Sequence, residues 1–234
     1  MRENVITVVV GKKGSGKTTL ARDLVLAAPR RIIMDPMWEH TDGVIVTSFA
    51  GFEAYVRPLR HARYAVICRF MDDDDRDAVV DLLTEGEPNN APLPSVVVLL
   101  DEVDRMCSPS TIPEGLRRLV NYGRHFNVSL VAVARRPRQM HRDVTANADR
   151  ICIGQTQEPR DLDYLAEFIG QELADRAAGL GEHEFVVWPD DLERPPAPVG
   201  PPAVELPPEP TPEPAVHSGE GALGTPDPEP TPPE

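Results

Sequence analysis

The sequence is short of the features that mark several common classes of protein. It has only three cysteines in 234 residues, Cys68, Cys107 and Cys152, and they lie far apart. An odd number of widely spaced cysteines argues against a disulfide framework or a cysteine-ligated metal site and favours reduced thiols in a cytosol. No apolar run approaches the roughly 18 residues of a membrane-spanning helix, and the N-terminus lacks a signal-peptide pattern. We therefore expect a cytoplasmic protein without a membrane span.

Positive charge is also scarce. The chain has 24 Lys and Arg against 38 Asp and Glu, a net charge of −14, which argues against a protein that coats nucleic acid non-specifically. The last 41 residues, Arg194–Glu234, contain 15 prolines and seven acids. Such a segment cannot bury enough apolar surface to offset the entropy cost of ordering. We predict one folded domain over residues 1–193 and a disordered Pro/Glu-rich tail over residues 194–234.

A glycine-rich motif stands near the start of the chain. Residues 11–18 read G-K-K-G-S-G-K-T, which matches the phosphate-binding P-loop pattern G-x-x-x-x-G-K-T. An apolar β-branched run precedes it, and a segment of helix-forming composition follows it and stops before Pro29. This strand, turn and helix are the context that the motif requires. The residues that we predict to bind ATP are Gly11, Lys12, Lys13, Gly14, Ser15, Gly16, Lys17, Thr18 and Thr19.

A second motif lies about 85 residues after the P-loop. The uninterrupted apolar run Ser95–Leu100 predicts a buried strand, and it ends in Asp101 and Glu102. In a P-loop domain an acid at this position faces the Mg²⁺ of the nucleotide, and a neighbouring carboxylate can act as a general base on water. We therefore predict that Thr18 and Asp101 bind Mg²⁺. Glu102 would activate the attacking water, and Lys17 would contact the outer phosphates.

Strand-like and helix-like segments alternate along the rest of the chain. This alternation predicts an α/β fold, with a mostly parallel sheet covered by helices on both faces. Four consecutive acids, Asp72–Asp75, are interpreted as the start of a helix rather than a metal site, because hard cations need spaced ligands. The strand-like runs are 31–34, 44–46, 64–70, 95–100, 127–134, 151–153 and 184–188. The helix-like segments are 49–56, 72–83, 113–122, 138–148, 161–169 and 171–178.

Between Gly115 and Arg150 the balance of charge is reversed. The segment has eight Arg residues against only Asp143 and Asp149. The Arg side chain suits bidentate contact with phosphate. Three functional interpretations stay open: an arginine finger for a neighbouring subunit, contact with a nucleic-acid backbone, or binding of the acidic tail. Solvated helix faces without a binding role are the structural alternative.

Three features in this order resemble the HerA/FtsK superfamily of DNA-pumping ATPases. They are the P-loop, the strand ending in Asp101 and Glu102, and the segment 122–128 that leads through an apolar strand into Arg135-Arg136-Pro137. On grounds of size, the chain looks most similar to the compact genome-packaging ATPases of double-stranded DNA viruses with internal membranes. The resemblance covers roughly residues 4–155.

This resemblance implies ATP-driven movement of double-stranded DNA by a homohexameric ring, into a viral procapsid, in the host cytoplasm or the virion. It places a trans-acting arginine finger at Arg124. Arg135 stands where the family has a sensor Gln; since Arg cannot accept a hydrogen bond, it cannot orient water as Gln does and could bind the γ-phosphate instead. The tail could dock a capsid or membrane protein.

Two other functions are compatible with the motifs. A P-loop kinase of a small phosphate acceptor could use Asp35 and the Arg-rich segment as acceptor site and lid, although such kinases usually lack the Asp-Glu pair. A nucleotide-binding assembly protein without turnover is the other alternative, because Arg135 replaces the expected Gln.

Overall fold

The structure is a computed structural model that describes residues 4–70, 72–85 and 94–189. The tail 194–234 and the domain boundary at residue 193 lie outside these residues, so both stay predictions. No helix in the described part of the chain is long and apolar enough to cross a membrane.

The described strands form one sheet in the order β3-β4-β2-β5-β6-β1-β7-β8. Every neighbouring pair is parallel except β7 and β8, which are antiparallel. The predicted mostly parallel sheet is therefore confirmed. The strands are β1 (Ile6–Val10), β2 (Arg30–Met34), β3 (Val44–Val46), β4 (Tyr64–Cys68), β5 (Val96–Leu100), β6 (Val128–Ala134), β7 (Arg150–Gly154) and β8 (Phe185–Trp188).

Helices cover both faces of the sheet, as predicted. Successive side chains of a strand point to opposite faces, and β1 shows the result. Val8 and Val10 join a large core with α2 to α7, whereas Val9 packs with Ala21 and Val25 of α1. The helices are α1 (Lys17–Leu26), α2 (Phe49–Val56), α3 (Asp73–Leu83), α4 (Glu114–Tyr122), α5 (Arg142–Ala146), α6 (Pro159–Ile169) and α7 (Gln171–Ala178).

The helix starts follow from local side-chain chemistry. Asp72 accepts a hydrogen bond from the Asp74 N–H at 2.9 Å and caps α3, whose first turn carries the other three acids. The predicted helix 138–148 is shorter in the structure. Extended backbone at Met140 and His141 separates a 3₁₀ turn, Pro137–Gln139, from α5.

The strand order brings the predicted motifs to one edge of the sheet. In parallel strands all carboxyl ends lie at the same edge, and this edge is where α/β proteins bind ligands. The four strands at the centre of this arrangement are neighbours in the sheet. At this edge β2 is followed by Asp35, β5 by Asp101 and Glu102, β6 by Arg135, and β1 by the P-loop.

Candidate active site

The P-loop has the backbone geometry of an anion site. Gly14 and Gly16 have φ of 81° and 88°, in the left-handed region that favours glycine. Gly16 precedes α1, and no side chain caps the N–H groups of that helix. A Cβ at Gly16 would also collide with the imidazole of His183, which covers the loop from the turn before β8. The uncapped helix start can therefore receive a phosphate.

Two side chains of the P-loop fit a phosphate ligand. Lys17 is buried, and its ammonium donates to the Lys12 carbonyl at 2.8 Å. Burial lowers the pKa of Lys17, the charge of Arg135 lowers it further, and nearby carboxylates raise it in part. The hydroxyl of Ser15 is fully buried without a hydrogen-bond partner in the described residues. An orphaned donor beside a buried cation is typical of a site that binds an anion.

The P-loop and the acids after β5 line one cleft. Lys17 and Thr18 of the P-loop contribute to its lining, and so do Asp101 and Glu102. The structure therefore brings together these four residues, which the sequence assigned to one nucleotide site. Their hydroxyl and carboxylate oxygens are ligands of the kind that Mg²⁺ prefers, so the donor set fits the predicted metal. The roles of the individual residues stay predictions.

Asp101 is held by two hydrogen bonds. Its side chain is almost fully buried; Oδ1 accepts from the Glu102 N–H at 3.1 Å, and Oδ2 lies 3.0 Å from Nε2 of the buried His40. Because a carboxylate only accepts, His40 donates Nε2–H in this contact. The orientation of Asp101 is thus fixed by its surroundings.

Glu102 is bound by two arginines. Arg135 forms an ion pair with Oε1, and Nη1 of Arg105 lies 3.4 Å from Oε2. The Glu102 backbone is left-handed, with φ of 55°, which turns the side chain into the cleft at a position strained for a residue other than glycine. Both carboxylate oxygens of Glu102 are therefore in contact with a guanidinium group.

Asp104 lies beside this cluster in a 3₁₀ turn, Val103–Arg105. Its Oδ1 atom is buried without a hydrogen-bond partner in the described residues. Burial raises the pKa of Asp104, and backbone N–H groups and the charge of Glu102 modify it further. Asp104 adds negative potential next to Lys17.

Arg124 lies away from this cleft. It belongs to a 3₁₀ turn, Gly123–Phe126, before β6, whereas Arg135 follows β6. The seven residues of β6 span about 23 Å at 3.3 Å per residue. No Arg side chain bridges that distance, so the structure does not bring Arg124 to its own subunit's nucleotide cleft.

The loop after β2 contributes residues that the sequence did not single out. Thr18 Oγ1 donates to Glu39 Oε2 at 3.3 Å, and His40 contacts Asp101. The signal was the position of Asp35-Pro36 at the end of a strand. This signal assigns the loop to the site only when β2 is known to lie beside β5.

A separate concavity of about 480 Å³ is lined by four arginines, one of which is Arg136, and is called the basic concavity below. Arg136 is ion-paired with Glu158 and Asp161 at 3.1 and 2.7 Å, and Arg142 lies over the ring of Phe168. The other two arginines of its lining, Arg138 and Arg160, have no ion-pair partner in the described residues.

The fold and the cleft together define a P-loop nucleotide hydrolase. A family model described as an AAA domain matches residues 1–140, and the chain belongs to this family. A probable DNA double-strand break repair helicase HerA of Methanocaldococcus jannaschii is 35% identical over 75 residues, which cover 31% of this chain and 15% of the relative. The chain thus matches a small part of that relative's length.

Solved structures of two viral proteins have a similar fold over most of this chain. The genome packaging NTPase B204 of Sulfolobus turreted icosahedral virus 2, in complex with AMPPCP, matches with a TM-score of 0.65 and 21% identity, over 79% of this chain and 92% of that chain. The DNA-packaging ATPase B204 of Sulfolobus turreted icosahedral virus matches with a TM-score of 0.60 and 17% identity, over 80% and 93%. The chain is a HerA/FtsK-like P-loop ATPase.

Proposed function

We propose that this protein hydrolyses ATP with Mg²⁺ to move double-stranded DNA, and that its biological task is to package a viral genome into a procapsid. The observation that carries the proposal is the shared cleft, which Lys17 and Thr18 line together with Asp101 and Glu102. The likeness to viral packaging ATPases in fold and to HerA in sequence supports the DNA substrate.

The residues of the cleft divide the chemistry among them. Lys17 and the backbone N–H groups of the P-loop would bind the phosphates, while Thr18 and Asp101 would hold Mg²⁺. The metal, when bound, neutralises charge on the phosphate oxygens. Glu102 orients the attacking water and accepts its proton.

We expect Glu102 to act on water after Arg135 has moved away from it. We expect Arg135 to leave Glu102 for the γ-phosphate, since a phosphate group offers more acceptor oxygens than one carboxylate. A free Glu102 oxygen then faces the water. Exchange of this ion pair for a phosphate contact would tie hydrolysis to the presence of a triphosphate.

The kinase alternative is disfavoured by the position of Asp35. This side chain is fully buried and accepts hydrogen bonds from Glu39, His40 and Arg69. It holds the chain in place and is not available to an acceptor substrate.

DNA contact is assigned to the basic concavity. The concavity is next to the cleft along the chain, because Arg135 pairs with Glu102 and the following residue, Arg136, lines the concavity. Arg138 and Arg160 present guanidinium groups that can bind backbone phosphates without reading sequence.

Phosphate release by the purified protein tests the proposal, with and without duplex DNA and with the oligomeric state measured in the same sample. We expect DNA to stimulate turnover. Glu102→Gln should bind nucleotide as the parent does but lose turnover by about 10²–10⁴-fold, the usual contribution of a general base. Lys17→Ala is the control that loses nucleotide binding. Hydrolysis that is unchanged in Glu102→Gln would remove Glu102 from the mechanism.

A further inference from the structure

The loop 36–42, between β2 and β3, touches both predicted Mg²⁺ ligands. Thr18 donates to Glu39 at 3.3 Å, and His40 contacts Asp101 at 3.0 Å. Glu39 and His40 are adjacent in sequence, so one short segment reaches the P-loop and the strand β5 at once. This arrangement goes beyond what ATP hydrolysis by itself requires.

The direction of these hydrogen bonds suits metal binding. When the Thr18 hydroxyl donates a hydrogen bond to Glu39, the lone pairs of Oγ1 are free for a cation. When His40 donates to Oδ2 of Asp101, the carboxylate is held in one orientation. Partners of this kind, which orient metal ligands without touching the metal, commonly change metal affinity by 10–100-fold.

A buried network of hydrogen bonds between charged and backbone groups anchors the loop. Asp35 accepts from the N–H groups of Glu39 and His40 at 2.9 and 3.2 Å. Arg69 donates to Asp35 at 3.1 Å and to the His40 carbonyl at 2.6 Å. Because Asp35 is fully buried and paired, it fixes the loop against the sheet.

Trp38 lies at the outer surface of the same loop. Its side chain is 62% exposed, its φ is 61°, and its ring lies 5.7 Å from the guanidinium carbon of Arg69. A large residue in the left-handed region is held there by its neighbours. Any rearrangement of Glu39 or His40 therefore changes the surroundings of the Trp38 indole.

We propose that Glu39 and His40 are positioning residues for Mg²⁺: they orient Thr18 and Asp101, and the loop that carries them couples metal occupancy to the environment of Trp38. The inference depends on the proposed Mg²⁺–ATP function. It assigns no direct metal contact to Glu39 or His40.

The experiment uses the full chain with Trp188→Phe, so that Trp38 is the only one of the two tryptophans that remains. Mg²⁺ is titrated in the presence of a non-hydrolysable ATP analogue. Nucleotide binding is followed by calorimetry and Trp38 by its emission, and parallel samples contain EDTA. We expect the Trp38 emission to change with Mg²⁺ and nucleotide together, and not with nucleotide in EDTA.

Glu39→Ala and His40→Ala should each raise the half-saturating Mg²⁺ concentration by about 10–100-fold. Nucleotide binding in EDTA should stay as in the parent. Glu39→Gln keeps a hydrogen-bond acceptor for Thr18 and should recover most of the loss, which a direct carboxylate–metal contact would not allow. Asp42→Asn, an exposed change in the same loop, is the matched control and should have no effect.

Equal Mg²⁺ dependence in the parent and in both alanine variants would overturn the inference and leave the proposed function intact. A parent that binds nucleotide without any Mg²⁺ dependence would overturn both the inference and the metal part of the proposed function. Because His40 is buried, His40→Ala is checked by thermal melting; if it does not fold, the exposed Glu39→Ala decides the outcome alone.

Discussion

At the scale of single residues, the cleft contains several charged side chains that are buried, which is an unfavourable environment for a charge. Lys17, Asp101 and Glu102 are all buried, and Asp104 is half-buried next to them. Taking charged groups out of water is costly even when they are paired, so such clusters are typical of functional sites. The site is therefore kept at the expense of stability, and a substitution that removes charge should reveal this.

Asp104→Asn should stabilise the protein at neutral pH. Burial raises the pKa of Asp104, so the folded protein binds a proton more tightly than the unfolded chain does. Stability from this group is complete below the unfolded pKa of about 3.9 and falls as pH rises through the folded pKa. Removing the charge should raise Tm at pH 7 by about 2–4 °C, the shift that 1 kcal/mol gives in a domain of this size.

Thermal melting of the apo protein between pH 4 and 8 checks this expectation. The increment from Asp104→Asn should grow with pH across that range. Asp163→Asn, an exposed change in α6, serves as control and should leave Tm unchanged. A lower Tm for Asp104→Asn at pH 7 would show that the carboxylate contributes net attraction to Lys17.

At the scale of elements, the close approach of β3 to β4 depends on one glycine. A Cβ at Gly43, which precedes β3, would lie 2.8 Å from the Ala65 carbonyl oxygen of β4. This neighbour is backbone and cannot rotate away. Gly51 in α2 is different, because its added Cβ would meet only ordinary contacts at 3.4 Å or more.

Gly43→Ala should therefore destabilise the fold by about 1–3 kcal/mol, the usual cost of overpacking. Gly51→Ala should stabilise it by up to about 1 kcal/mol, because Ala is the better helix former. Urea denaturation of the two variants and the parent measures both effects. Equal midpoints for Gly43→Ala and the parent would mean that β3 can shift without cost.

The elements themselves could be predicted because their signals are local. The apolar run before the P-loop and the run Ser95–Leu100 were correctly assigned as strands, and the acids Asp72–Asp75 were correctly assigned to a helix start. The loop 36–42 could not be assigned to the site, since its contacts arise from the pairing of β2 with β5, more than 60 residues apart. The pairing of Arg135 with Glu102 likewise needed β5 beside β6.

At the scale of the whole molecule, the position of Arg124 bears on assembly. It lies at the amino end of β6, opposite the edge that holds the cleft. An arginine finger at this position can act only on a neighbouring subunit. Such a finger is commonly worth 10³–10⁵ in turnover.

Mixing two inactive variants tests this arrangement. Lys17→Ala lacks a working P-loop but keeps Arg124, and Arg124→Ala has the opposite defect. In a mixed assembly, some P-loops with Lys17 face a neighbour with Arg124, so ATPase activity should return on mixing. The double variant Lys17→Ala/Arg124→Ala is the control: mixed with either single variant, it leaves the assembly without any Lys17 or without any Arg124, so no activity should return. Mixtures as inactive as their components would contradict action in trans.

The opposite placement of Arg124 and the cleft also limits the arrangements of subunits in which Arg124 could act as the proposed finger. In a two-fold dimer every contact occurs twice, so one shared interface would have to contain both Arg124 and the cleft, which lie at opposite edges of the sheet. A heterologous arrangement, in which the amino edge of one sheet meets the carboxyl edge of the next, supplies every cleft with a finger without this requirement. All subunits would then point the same way around the axis, which would give the assembly a front and a back, as the proposed movement of double-stranded DNA in one direction requires.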